Sequence, residues 1–167
     1  MTLRLILIRH AKSDWADPSR DDHERPLNYR GRRDAPEIGR WLASRGDLPG
    51  LALCSTAERT VETLALILAE LPVQPRVLHL GRLYHASAEE MLAVLKTADA
   101  PVLLMIGHNP GIADLAAMLP GQPPQSDDFR RYPTGATLVL DMQGDSWADI
   151  QPGQASVRDF FIPSRDA

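Results

Sequence analysis

The chain has 167 residues, a size that suits one domain around a single large core, and its 44% hydrophobic and 24% charged residues are ordinary for a globular protein in water. A net charge of −4 with no basic stripe argues against nucleic acid as a partner. The single cysteine, Cys54, excludes an intramolecular disulfide, and no apolar run approaches the roughly 20 residues of a membrane span.

Residues 3–8 form an apolar run broken only by Arg4, the pattern of a short strand buried on both faces. Its Leu-Ile-Leu-Ile stretch is too short for a signal peptide and is interrupted by Arg9, so a cytoplasmic protein is the expectation. Arg9 and His10 do not suit a core, but side by side they suit an anion. Residues 14–29 are polar and rich in Asp, Arg and Pro and read as a long loop, a length that points to function or mobility. Residues 31–45 are predicted helical, with Ala35, Ile38, Trp41 and Leu42 as the apolar stripe. Pro36 is expected within the first turn, where its missing N–H costs nothing, and Gly46 reads as a C-terminal cap.

Residues 51–54 are a second apolar run, in which Cys54 reads as a small buried hydrophobe. Ser55 or Thr56 is expected to cap a helix to about residue 71, with Val61, Leu64, Ala65 and Leu68 inward and Pro72 past its end. Residues 76–80 suggest a third strand, followed by Tyr84 and His85. Ser87 and Glu90 form a capping box for a helix over 87–97, with Met91, Leu92 and Leu95 inward. Residues 101–106 make a fourth buried strand, and 110–119 a short helix with Ile112, Leu115 and Leu119 inward. Residues 121–133 read as an exposed loop. A fifth strand over 136–141 precedes a turn at Gln143-Gly144-Asp145, and 147–150 and 157–162 are expected to pair antiparallel with it. No repeat or linker divides the chain, so residues 1–167 are expected to form one domain.

Strands and helices alternate about four times, which predicts an α/β fold with a mostly parallel sheet and helices on both faces. Such sheets bind ligands beyond the carboxyl ends of their strands. Arg9, His10, Lys12 and Ser13 follow the first strand; Ser55, with Arg59 one helical turn on, follows the second. Tyr84 and His85 follow the third, and His108 and Asn109 the fourth. Parallel strands would bring these residues to one edge, together with helix N-termini that favour phosphate. Arginine offers paired planar donors to phosphate oxygens. A neutral histidine there can attack phosphorus if its other ring nitrogen keeps the proton, and cationic neighbours favour that neutral form. Singly, each residue has a plainer reading: a strand-end pair, a solvated helix arginine, a tight turn at Gly107–Gly111. Their coincidence at one edge favours a site for a phosphoryl group. The histidines lie at no metal-ligand spacing, so no metal and no cofactor are expected.

These segments also resemble a known family. Leu-Ile-Arg9-His10-Ala11-Lys12-Ser13 resembles the RHG signature of the histidine phosphatase superfamily. The segments at residues 25–35, 54–63 and 103–111 resemble three further segments of the same family, in the same order. The short chain and the Arg-His-Ala-Lys-Ser-Asp-Trp stretch resemble the SixA-like phosphohistidine phosphatases most. The resemblance implies a three-layer α/β/α fold, phosphoglycerate-mutase-like, with His10 as nucleophile, Arg9 and Arg59 as phosphate clamp and His108 as donor to a phosphoryl oxygen. Lys12, Ser13, His85 and Asn109 would meet the substrate. It implies a metal-independent phosphatase acting through a phosphohistidine, on a phosphohistidine-containing protein, with no nucleic-acid or membrane partner. The alternatives are a phosphatase of small esters or phosphosugars, or an inactive phosphate-binding module. The chain departs from the pattern at Ala11 for Gly, Lys12 for Glu and Ala16 for a phosphate-binding Asn. It also lacks an evident general acid after the third strand, where His85 and Glu89 are the candidates.

Overall fold

The computed structural model describes residues 2–163. Six strands, β1 (Thr2–Arg9), β2 (Leu51–Ser55), β3 (Arg76–Leu80), β4 (Val102–Gly107), β5 (Thr137–Gln143) and β6 (Ser156–Phe161), form one sheet ordered β3-β2-β4-β1-β5-β6. The four strands from β3 to β1 are parallel, and β5 and β6 close one side antiparallel. Successive side chains of β1 point to opposite faces, and both faces are covered, which is why residues 5–8 are all apolar. Leu5 and Leu7 pack in one cluster with Met91, Leu95 and Leu115; Ile6 and Ile8 pack in the other with Ile38, Leu42 and Ile67. Helices α1 (Tyr29–Arg45) and α2 (Glu58–Leu68) therefore form one outer layer, and α3 (Ala88–Leu95), α4 (Gly111–Met118) and the short α5 (Asp127–Arg131) the other. This is the expected three-layer α/β/α arrangement.

Several local expectations change. Asn28 caps α1 by accepting from the Gly31 N–H, so the helix starts earlier than expected and Pro36 lies in its interior, not its first turn. Neither Ser55 nor Thr56 caps α2. Ser55 ends β2, and Ala57 precedes the helix without a side-chain cap. The helix also stops at Leu68, and Ala65 is exposed while Thr60, Thr63, Leu64 and Ile67 are buried. Its inner face is thus part polar: the Thr60 and Thr63 hydroxyls donate to carbonyls of their own segment, so burial costs them no hydrogen bond. The stretch read as an exposed loop contains α5, whose Phe129 and following Tyr132 are buried. Residues 147–149 form a 3-10 turn rather than a strand, anchored by the Trp147 ring N–H on the Ala100 carbonyl (2.6 Å). The capping box at Ser87 and Glu90 forms as expected.

Candidate active site

The β1–β4 register sets Arg9 opposite Gly107, and β2–β4 sets Cys54 opposite Ile106. His10, His108 and Ser55 consequently leave the sheet together, within one residue of each other's height. His10 and His108 line a cavity of about 240 Å³ with Arg9, Lys12, Ser13, Asp22, Arg25, Arg59, His85 and Asn109, enough for a phosphoryl group and part of what carries it.

His10 is fixed from three directions. Its N–H donates to Gly107 O (3.2 Å), its C=O accepts from Gly135 N–H (3.0 Å), and its Nδ1 lies 2.7 Å from Ala11 O. A carbonyl can only accept, so Nδ1 carries the proton and Nε2 keeps its lone pair. Gly135 makes its contact at φ 79°, in the left-handed region that a side chain rarely enters. Burial, then the charges of Arg9, Arg59 and Arg25, lower the His10 pKa to about 3, outweighing the opposite pull of the Ala11 carbonyl.

The His108 ring centroid is 5.3 Å from that of His10. Its Nε2 is 2.8 Å from the Ser55 hydroxyl, which accepts from Ala57 N–H and so has its own proton to donate. That arrangement leaves the imidazole proton on Nδ1, a buried atom without a protein partner. Burial first, and then His10 and Arg59, push the His108 pKa well down. Arg9 Nε, Arg25 Nε and Arg59 Nε are likewise buried without partners. Buried donors are nearly always paired in folded proteins, so four orphan donors against one orphan acceptor, Asn109 Oδ1, on residues lining one cavity favour an anionic ligand there.

The loop before α1 supplies what sequence reading missed. Asp22 stands in a 3-10 turn (Asp22–Glu24) and holds Arg59 through its backbone carbonyl (2.7 Å) and carboxylate (3.0 Å). Arg25 (2.8 Å) and Tyr84 (2.6 Å) donate to the same carboxylate, and His85 Nε2 lies 3.2 Å away. The Arg25 guanidinium stacks on exposed Trp15, 3.6 Å from the ring centroid. The one signal in the sequence was an Asp and an Arg three apart in a long loop.

Lys12 is exposed and lines this cavity and a neighbouring one bounded by Arg9, Arg30 and Thr134. Ser13 is buried and accepts from Arg25, so its hydroxyl is committed to holding that arginine. Asn109 donates to the carbonyls of Arg131 (3.0 Å) and Tyr132 (3.2 Å), and Arg9 also donates to Tyr132 O (3.2 Å), so α5 helps to fix this side of the site. Ala11 has no left-handed φ, so the missing glycine costs no strain, and its methyl is buried beside Leu27 and Ala35. Glu89 is exposed in the first turn of α3 and does not line the cavity; His85 does. Cys54 is buried, with its thiol pKa raised to about 12 by burial, as a small core residue. Among the described residues no cluster of His, Cys, Asp and Glu could hold a metal, and no helix is long and apolar enough to cross a membrane.

A model of the histidine phosphatase superfamily (branch 1) matches residues 5–81. An uncharacterised protein of Mycobacterium tuberculosis, Rv1276c, is 34% identical over 165 residues, spanning 93% of this chain and 99% of that one. The solved structure of a "Putative Phosphohistidine Phosphatase SixA" from Nakamurella multipartitia is 33% identical, with a TM-score of 0.81 over 98% of this chain and 97% of that chain. A SixA structure described in the same words, from Agrobacterium tumefaciens, is 27% identical, with a TM-score of 0.78 over 96% and 98%.

Proposed function

The chain belongs to the histidine phosphatase superfamily, and from that premise we propose that it is a metal-independent phosphatase that works through a phosphohistidine on His10, with protein phosphohistidine as its substrate. The observation that carries this reading is the set of orphan donors on Arg9, Arg25, Arg59 and His108 around a histidine whose Nε2 lone pair is free. In the proposed reaction, Arg9 and Arg59 hold the phosphoryl oxygens and His10 Nε2 attacks phosphorus. Nδ1–H of His108 donates to an oxygen that gains charge in the transition state, where such fixed donors act most strongly. Water then cleaves the phosphohistidine, releasing phosphate and restoring neutral His10. The Ala11 carbonyl keeps the Nδ1 proton in place through both steps.

Protein phosphohistidine is favoured over a phosphate ester by the leaving group. An alkoxide needs a proton, whereas imidazole departs from phosphorus with less help. Glu89, one of two acid candidates, is outside the cavity, and the carboxylate inside it, Asp22, is bound by three donors. The SixA names of the two solved relatives point the same way.

The test is single turnover with labelled phosphohistidine protein, quenched into alkali, in which phosphohistidine survives. Wild type is expected to accumulate a labelled enzyme and His10→Ala none, with turnover down by at least a thousandfold. Undiminished turnover in His10→Ala would sink the mechanism. A clear preference for alkyl phosphates or phosphosugars across a substrate panel would transfer the function to the ester reading.

A further inference from the structure

Asp22, Tyr84 and His85 stand together at the mouth of the cavity, above Arg59, which Asp22 also holds. The Asp22 side chain is 38% exposed, against 4% for Arg59 beneath it. Its Oδ2 accepts from Tyr84 and Arg59 and faces His85 Nε2; its Oδ1 accepts from Arg25 alone among the described residues and retains acceptor capacity. The His85 ring stacks on Tyr84 at 4.0 Å. His85 also holds a φ of 54°, a left-handed conformation uncommon outside glycine that clusters at functional sites.

Burial alone would raise the Asp22 pKa, but hydrogen bonds from Tyr84, Arg25 and Arg59 outweigh it and hold the carboxyl well below the usual range. At neutral pH Asp22 therefore has no proton to give an alkoxide. It can only accept one through a hydrogen bond. His10 attacks from the buried floor, and in-line displacement puts the leaving group on the opposite side, toward the mouth.

We propose that the Asp22 carboxylate, backed by Tyr84 and His85, is the leaving-group subsite and accepts the distal ring N–H of a substrate phosphohistidine. This rests on the reading of His10 as nucleophile. The substrate ring arrives protonated by solvent at its distal nitrogen, and Asp22 stabilises that form. His10 Nε2 supplies the pair for the new N–P bond. The substrate's P–N bond breaks with its electron pair going to the ring nitrogen, and the ring leaves as neutral imidazole with its N–H still on Asp22. The subsite thus selects a leaving group that brings its own proton.

The experiment compares kcat/KM for phosphoimidazole and for p-nitrophenyl phosphate, an ester whose leaving group needs no proton, in wild type, Asp22→Asn and Asp22→Ala. The ratio of the two substrates is expected to fall roughly tenfold or more in both variants, the scale of one lost charged hydrogen bond. Tyr84→Phe, which keeps the ring and removes one donor to Asp22, is expected to shift the ratio in the same direction by less. A ratio within about twofold of wild type in both Asp22 variants, whatever the absolute rates, would mean that Asp22 only holds Arg59 and its loop, and would overturn the proposal. Wild type that hydrolyses the ester but not phosphoimidazole would instead overturn the phosphohistidine reading itself, so the two failures are told apart before any variant is made.

Discussion

His10 is held neutral against its own intrinsic basicity, and that has a consequence for stability. Its pKa is about 3 in the folded chain, from burial and three arginines, against an ordinary 6.5. Between those values the unfolded chain takes up a proton that the folded chain refuses. The stabilising contribution is therefore complete above about 6.5 and is lost as pH falls toward 3. His108 is displaced in the same direction by burial and by His10. The thermal midpoint of wild type, followed by circular dichroism, is expected to fall across that window by more than that of His10→Gln. Parallel slopes would show that His10 is not held neutral. Arg59→Lys should lower kcat/KM by roughly a hundredfold, because a point charge cannot reproduce the paired donors and Asp22 loses one of its three. Arg9, His10, Arg59 and His108 were legible because each follows an apolar run whose strand end could be located. Asp22 and Arg25 were not, because nothing in residues 14–29 says which side chain the loop turns inward.

The elements meet the site through backbone. The Lys12 carbonyl, two residues past His10, accepts from Asn28 N–H (3.0 Å), and a Cβ on Gly31 would sit 2.2 Å from its oxygen. The start of α1 is thus packed directly on the chain that follows the proposed nucleophile. Gly31→Ala is expected to destabilise by roughly 1–3 kcal/mol, read as a fall in the denaturation midpoint, and to lower kcat/KM as residues 10–12 shift. A variant as stable as wild type would mean that this contact yields freely. The short α5 makes the opposite lesson. Its polar Ser-Asp-Asp-Phe-Arg-Arg sequence carries one apolar residue per turn, too little for periodicity to find. Yet Tyr132 at its end donates to the Leu7 carbonyl and accepts from Arg9 and Asn109, tying both to the core. The α2 stripe was misplaced for a related reason: Thr60 and Thr63 are buried because they satisfy themselves, which a count of apolar residues ignores.

At the scale of the molecule, the cavity gathers positive groups inside a chain whose net charge is −4. An oxyanion that satisfies the orphan donors stabilises the folded state by mass action, by about 2.7 kcal/mol at a hundred times its dissociation constant. Orthovanadate is expected to raise the thermal midpoint of wild type and to leave Arg59→Ala unmoved; an equal rise in both would place the anion elsewhere. Turnover is expected to survive prolonged chelation with EDTA, and loss restored by a divalent ion would end the metal-independent reading.

The sequence by itself determined the alternation of strand and helix, the mostly parallel sheet and the edge at which Arg9, His10, Arg59 and His108 converge. It could do so because apolar runs are local and parallel topology fixes which ends align. The tertiary structure alone decided that Asn28 starts α1, that Ser55 serves His108 rather than a helix cap, and that Asp22 reaches across to Arg59, Tyr84 and His85. Those contacts join residues 37 to 63 positions apart in the chain or compete with an equally good local partner, and only the packed fold brings the winners within reach.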